Sequence, residues 1–182
     1  MKKKDLVDFV LKTVPESLKR DSDSRGLVSR AIGMALDDMF FKLFSKEPAN
    51  MADYMKPYTI TPTKHDENIS ILELPVSTLQ FSDIGDMIKI SCQSDTSLLF
   101  VPIRIGEIEL IEDIQAIDSV CPFIVKGSSI WIYGLTRAYP LLVECLVAFH
   151  DLPDTADVKI PSGGDVVLMQ TVRELLGYSN PK

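Results

Sequence analysis

The chain has 182 residues, of which 46% are hydrophobic and 25% charged, and its net charge is −7. These proportions are those of globular domains rather than of fibrous or disordered chains, and the length predicts one domain. A net negative charge argues against a surface that neutralises nucleic-acid phosphates. The sequence predicts no membrane span, and no secretory signal, because Asp5, Asp8 and Lys12 interrupt the apolar residues at its start.

Two helices are predicted at the start of the chain. The first, which ends near Pro15, has a short apolar stripe formed by Leu6, Phe9, Val10 and Thr13. The Ser and Asp residues of DSDSRG then provide N-caps for the strongest helical pattern, at residues 24–45. The apolar stripe of this second helix consists of Val28, Ile32, Ala35, Leu36, Met39, Phe40 and Leu43. We expect this stripe to pack against the β part of the protein.

The middle of the chain is predicted to be rich in β-strands. Residues 54–62 contain two prolines and are expected to form an extended connector or an edge strand. The segments ISILELPV, MIKISCQ and SLLFVPIRI are three strand candidates, and Pro102 confines the last of them to an edge or a bulge. After Gly106, the sequence EIELIEDIQAID favours a short acidic helix.

The last third of the chain predicts a hairpin, a strand and a helix. FIVKGSSIWIYG is typical of a hairpin in which Gly127 provides the turn. LLVECLVAF is an almost continuous apolar strand, expected to be buried on both faces or to close a barrel. Pro161 then precedes a helix at residues 162–176, with Asp165 in its first turn and Gly177 as its C-cap.

These elements together predict an α+β fold. A helical N-terminal part is followed by an antiparallel β-sandwich or barrel, which a C-terminal helix closes. We predict a single domain over residues 1–182, with the helical part at 1–50, the β part at 51–160, and the closing helix and tail at 161–182.

The side chains that most often carry chemistry are scattered along the sequence. The chain has three cysteines, an odd number: Cys92, Cys121 and Cys145. They are widely spaced and surrounded by apolar residues, which favours buried, reduced thiols over disulfides or a zinc site. His65 and His150 are far apart in polar turns, and neither accompanies a nucleophile motif. We therefore expect no catalytic residue, no metal and no organic cofactor.

Four other features favour a structural interpretation over a functional one. The glycines before Asp165 lack the following Lys-Ser/Thr of a phosphate loop and predict a helix entry. Trp131 alternates like a packed hairpin side chain. The acidic cluster lacks the spacing of a calcium loop and is expected to be a solvated helix face; it consists of Glu107, Glu109, Glu112, Asp113 and Asp118. The residues expected in the core of the long helix, rather than around a cofactor, are Met34, Met39, Phe40 and Phe44.

The order and spacing of the later segments resemble a known protein family. A predicted strand ends at Leu74-Pro75. It is followed by the segments FIVKGSSIWIYG and LLVECLVAF and by the acidic loop DLPDTAD. The chain then continues through Ile160-Pro161 to Asp165 and a final helix. This succession, over about residues 58–178, is similar to the head-to-tail connector, or neck, proteins of tailed bacteriophages. It is most similar to the ring proteins of crAss-like and related short-tailed phages that infect Bacteroidetes.

The resemblance implies a structural virion protein without enzymatic activity or cofactors. Copies would form a closed homo-oligomeric ring, a dodecamer, below the portal protein, and would contact other neck or tail proteins. The genome would pass through the bore without specific binding during DNA ejection, and no membrane would be involved. The protein would reside in the virion neck or tail, after assembly in the host cytoplasm.

Two proline-containing extended segments are predicted as ring contacts, since stiff segments lose less entropy on docking. The residues concerned are Tyr54, Pro57, Tyr58, Pro62, Leu152, Pro153, Ile160 and Pro161. Two alternatives stay open: a tail-completion or baseplate assembly protein, and a small soluble enzyme with an unrecognised site.

Overall fold

The α+β class is observed, in the form of two compact units. The computed structural model describes residues 1–19, 23–46, 52–76, 88–104, 106–107 and 119–177. Met1–Tyr54 together with Ala148–Lys182 form one unit, here called the helical unit, and Met55–Val147 form the other, the sheet unit. The expected acidic helix lies almost wholly outside the described residues, as do four members of the acidic cluster.

Among its described residues, the helical unit contains four α-helices and two short 3-10 stretches, one of them at residues 52–54. They are α1 (Lys3–Thr13), α2 (Glu16–Lys19), α3 (Ser24–Lys46), the 3-10 helix Phe149–Asp151 and α4 (Gly164–Leu175). The prediction of α3 from capping and periodicity is confirmed to within one residue at its end. The start of α4 depends on Gly163, whose φ of 74° lies in the left-handed region that side chains disfavour. Gly177, with φ of 78°, follows α4 as predicted for a C-cap.

The core of the helical unit is formed by its own helices. Leu6, Val7 and Val10 of α1 and Leu168 and Val172 of α4 cluster with the buried face of α3. The α3 members of this cluster are Val28, Ala31, Ile32, Ala35, Leu36 and Met39. The expectation that α3 packs this stripe on the β part is therefore wrong, because α1 and α4 each present a matching apolar stripe. The C-terminal helix α4 packs on α3 in the same core.

The sheet unit contains eight strands among its described residues. They are β1 (Lys56–Ile60), β2 (Thr63–Lys64), β3 (Ile69–Glu73), β4 (Ile88–Cys92), β5 (Leu99–Pro102), β6 (Val120–Lys126), β7 (Ser129–Tyr133) and β8 (Leu141–Cys145). They form a three-stranded sheet of order β1-β8-β4 and a five-stranded sheet of order β2-β3-β7-β6-β5. Within the described residues, neither sheet closes into a barrel.

Strand pairing confirms two predictions and corrects a third. Strand β1 is an edge strand, as its prolines indicate, and β5 with Pro102 is an edge strand of the larger sheet. The hairpin β6–β7 turns at Gly127, whose φ is 66°. The expected antiparallel arrangement is wrong for β5 and β6, which pair in parallel. Residues 103–119 connect these strands, and parallel neighbours need a connection of about that length.

Burial alternates along several strands of the two sheets. In the larger sheet Leu72, Ile130 and Ile132 have at most 1% of their surface exposed and alternate with half-buried residues, whereas β6 is buried on both faces from Cys121 to Ile124. Strand β8 alternates in the same way, since Leu141, Val143 and Cys145 are buried and the residues between them half-buried. The expectation that this strand is buried on both faces or closes a barrel is corrected, because β8 is the middle strand of a three-stranded sheet and only one of its faces is fully buried.

Candidate assembly surface

The three cysteines are buried inside the sheet unit. All are free thiols, located in β4, β6 and β8. Burial raises the pKa of Cys145 to about 11. Burial also raises the pKa of Cys121, and nearby Asp95 and Cys92 add to the shift. Because the thiolate is the nucleophilic form, thiols with raised pKa values are poor nucleophiles. The predicted burial of the reduced cysteines is confirmed.

His65 and Trp131 belong to an aromatic and cationic cluster in the sheet unit. The Lys126 ammonium lies 3.7 Å from the centre of the Trp131 ring. The His65 ring is tilted against the same indole, at 5.4 Å between centroids. The half-buried Trp131 thus packs with its neighbours in the sheet, and a cation–π contact of this kind stabilises by about 0.5–1 kcal/mol at a partly exposed site.

His150 lies beside two carboxylates in the helical unit. Its Nε2 is 3.3 Å from Oδ1 of Asp151. Burial raises the pKa of Asp37, and the nearby His150 partly opposes this shift. Oδ1 of Asp37 is buried and has no hydrogen-bond partner among the residues that the structure describes. These groups form no metal centre, since the described residues contain no cluster of three or more His, Cys, Asp or Glu side chains suited to one.

The loop at residues 152–161 is bound to the start of the chain. The backbone N–H groups of Lys3 and Lys4 donate to the carbonyls of Ala156 and Asp154, at 2.9 and 3.1 Å, and that of Val158 donates to Met1 at 2.8 Å. This loop therefore has partners within the protein, which the sequence interpretation had overlooked.

Lys3 completes the attachment of this loop. Its side chain is only 8% exposed, and Nζ donates to the carbonyls of His150 at 3.0 Å and Leu152 at 2.7 Å. The ammonium also lies 5.2 Å from the centre of the Phe149 ring. The helical period could have predicted the burial of Lys3, because it shares a helical face with Leu6, Val7 and Val10. A lysine is usually expected in solvent rather than in a core, so its sequence identity argued against that prediction.

The predicted ring-contact residues differ in exposure and lie in both units. Pro57 and Pro153 are exposed, Pro62 is buried, and the other five are half-buried. Leu152 and Ile160 pack against the core of the helical unit. Tyr54 contacts the Phe40 ring edge to face, at 5.4 Å. Just before the first segment, the carbonyl of Asp53 accepts a hydrogen bond from Lys159 Nζ of the second.

Two apolar surfaces of the helical unit are open to solvent. The first, here called the α1–α4 groove, has a volume of about 470 Å³. Its lining residues are Met1, Leu6, Phe9, Val158, Ile160, Asp165, Leu168 and Met169. Phe9 is 51% exposed, so its predicted place in the stripe of α1 is wrong, and Val7 is buried instead.

The second surface, here called the α3 ridge, consists of Met34 and Phe41. They are 57% and 45% exposed and lie two turns apart on one side of α3. Four residues of this helix were predicted to be core: Met34, Met39, Phe40 and Phe44. The prediction is wrong for Met34, whereas Met39 is buried and Phe40 half-buried, and the side chain of Phe44 lies outside the described part of the structure. Neither surface was predicted, because a periodic pattern identifies the widest apolar stripe and not an apolar residue outside it.

Comparison with known proteins leaves the chain without an assigned family. No protein-family model matches it, and no curated protein matches it as a relative. None of the helices in the described ranges has the length and apolar character that crossing a membrane requires.

Proposed function

We propose that this chain is a non-enzymatic structural protein of a tailed-phage virion. Copies form a closed ring, a dodecamer, below the portal, and this ring joins the head to the tail and surrounds the DNA channel. The proposal starts from the order of segments in the C-terminal two-thirds of the sequence, which resembles phage connector proteins. Its neighbours in the virion are the portal protein and other neck or tail proteins.

The observation that carries the proposal is the presence of two different open apolar surfaces on one small unit. Large exposed apolar patches on a soluble protein usually mark contact sites. A ring is built from heterologous contacts, in which each copy offers one surface to the neighbour on its left and a different one to the neighbour on its right. The α1–α4 groove and the exposed Met34 on α3 support two such surfaces, whereas a symmetric dimer needs only one.

The mechanism of such a protein is positional rather than chemical. Buried thiols and a histidine that packs on Trp131 are suited to structural roles. We further propose that the two sheets stack as a sandwich, which gives the ring a stiff layer to couple the portal to the tail. The net charge of −7 suits a channel wall along which DNA slides without being held.

The copy number in purified virions tests this proposal. Quantitative mass spectrometry of particles purified by density gradient should find this chain in a one-to-one ratio to the portal protein, since both form rings of the same symmetry. Absence of the chain from purified particles, or a copy number unrelated to that of the portal, contradicts it. A tail-completion or baseplate protein would instead follow the stoichiometry of tail subunits.

A further inference from the structure

The first residues of the chain and the loop at residues 152–161 provide hydrogen-bond partners for each other. Helix α1 has no side-chain N-cap, so the N–H groups of its first turn need other acceptors. Those of Lys3 and Lys4 donate to carbonyls of the loop at 2.9 and 3.1 Å. In the other direction, the Lys3 ammonium donates to the carbonyls of His150 and Leu152 at 3.0 and 2.7 Å. The loop therefore caps α1, and α1 holds the loop.

A single antiparallel β-bridge extends this attachment. It joins Lys2 to Asp157, and the Val158 N–H donates to the Met1 carbonyl at 2.8 Å. Lys2 and Asp157 also form an ion pair, but their side chains are 50% and 64% exposed, and ion pairs in water contribute little. Residues 1–4, here called the N-terminal latch, are thus held by backbone bonds and by the buried Lys3 rather than by surface charge.

The latch and the loop form one end of the α1–α4 groove. Met1 belongs to the latch, Val158 and Ile160 belong to the loop, and the other lining residues belong to α1 and α4. If the latch leaves the loop, these three residues lose the bonds that position them. The groove then lacks this end of its apolar lining. A complete groove therefore requires a closed latch.

Separation of the latch from the loop leaves the main core of the helical unit intact. Helix α1 joins that core through Leu6 and Val10, and α4 joins it through Leu168 and Val172. The loop contributes Val158, which is 6% exposed. Opening the latch thus uncovers far less apolar surface than separating the helices, and the regions of a protein that open locally are those with few buried apolar contacts.

We propose that the N-terminal latch is a conformational switch for the α1–α4 groove. With the latch closed, the groove has its full apolar lining and accepts a partner; with the latch open, the groove is incomplete. The affinity of a partner that binds the closed form alone is reduced by the fraction of molecules that are closed. By reciprocity, an occupied groove holds the latch shut. The inference goes beyond the proposed function, because it holds whichever molecule fills the groove.

Native-state amide exchange of the full chain tests whether the latch opens separately from the core. The Val158 N–H reports on the latch, because its acceptor is the Met1 carbonyl, and the Leu36 N–H reports on the buried stripe of α3. In the parent protein, after correction for intrinsic rates, Val158 should exchange at least about tenfold faster than Leu36. Lys4 should be protected to the same degree as Val158, since one opening frees both amides. Equal protection of Val158 and Leu36 would overturn the inference.

Substitution of Lys3 tests whether an open latch disables the groove. Lys3→Met removes both side-chain hydrogen bonds to the loop and should accelerate exchange of Val158 by about tenfold or more. With methyl-labelled methionine, the NMR signal of Met169, which lines the groove, should shift or broaden in this variant. The signal of Met34, which is exposed on α3 and does not line the groove, should stay in place. Lys4→Met is the matched control, because it also adds one methionine, and it should change neither the exchange nor the Met169 signal.

Three results of the substitutions would contradict the switch. Faster exchange of Val158 with an unchanged Met169 signal would show that the groove does not depend on the latch. The same response in Lys3→Met and Lys4→Met would show that the buried ammonium does not hold the latch closed. Loss of all amide protection in Lys3→Met, including that of Leu36, would show that the latch is part of the core. None of these measurements involves virions, so the proposed function is tested separately.

Discussion

Replacement of Lys3 by methionine tests how the N-terminus and the loop at residues 152–161 are held together. The ammonium is almost fully buried and donates two hydrogen bonds to backbone carbonyls, those of His150 and Leu152. Methionine has a similar length and retains contact with Phe149, but it leaves both carbonyls without this donor. The change therefore removes hydrogen bonds and little apolar contact.

The expected loss of stability follows from these contacts. Hydrogen bonds to a charged group contribute about 1.5–3 kcal/mol each, so two contribute at most about 6 kcal/mol. The cost of burying the ammonium offsets a large part of this sum. We expect a net loss of about 2 kcal/mol in the free energy of unfolding, or ~4–8 °C in melting temperature for a chain of this size.

Thermal and urea unfolding, followed by the helical circular dichroism signal, measure the effect. Lys4→Met is the matched control, since Lys4 is the exposed neighbour of Lys3 on the same helix. It should change the free energy of unfolding by less than about 0.5 kcal/mol, as expected for a surface substitution. If Lys3→Met and Lys4→Met unfold alike, the buried ammonium does not bind the loop and the account of this attachment is refuted.

Three further predictions concern the two cores and their titratable groups. Leu36→Asp should destabilise the helical unit by about 3 kcal/mol or more in urea unfolding, because it buries an uncompensated charge. Met34→Asp, on the exposed side of the same helix, should change the stability little. Equal effects of the two substitutions would contradict the burial of Leu36. Cys145 should remain unmodified by a thiol reagent in the native protein at mildly alkaline pH, since its pKa is raised to about 11, and fast labelling without unfolding would contradict this. Asp37→Asn should increase stability at neutral pH. The raised pKa of Asp37 means that the folded state binds this proton more tightly than the unfolded state, so the parent loses stability as the pH rises through that pKa. The gain from the substitution should therefore disappear below the ordinary pKa of 3.8, and a gain that persists in acid would point to another cause.

The elements themselves were largely predictable from local signals. Capping residues and a long periodic stripe located α3, and Gly127 located the hairpin β6–β7, because each signal depends on neighbouring residues alone. The partners of these elements were not predictable in the same way. An apolar stripe shows that a helix packs, but α1, α4 and the sheets were all equally suitable partners for the stripe of α3.

The candidate surface was the least predictable feature. Periodicity assigns Phe9 to a core and its apolar character assigns Met34 to one, yet both are exposed. Lys3, a charged residue, is buried instead. The parallel pairing of β5 and β6 had a readable signal in the long connection between them. The two proline-containing segments were selected for stiffness alone, and the partners of residues 152–161 at the N-terminus became visible only in three dimensions.

The most direct test of the central claim is an electron-microscopy reconstruction of intact virions. The account predicts density for this chain in the neck, below the portal, as a closed ring around the channel with the rotational symmetry of the portal. Neighbouring copies should meet through different surfaces of the helical unit. Neck density that contains no copy of this chain, or copies that lack rotational symmetry around the channel, would contradict the account.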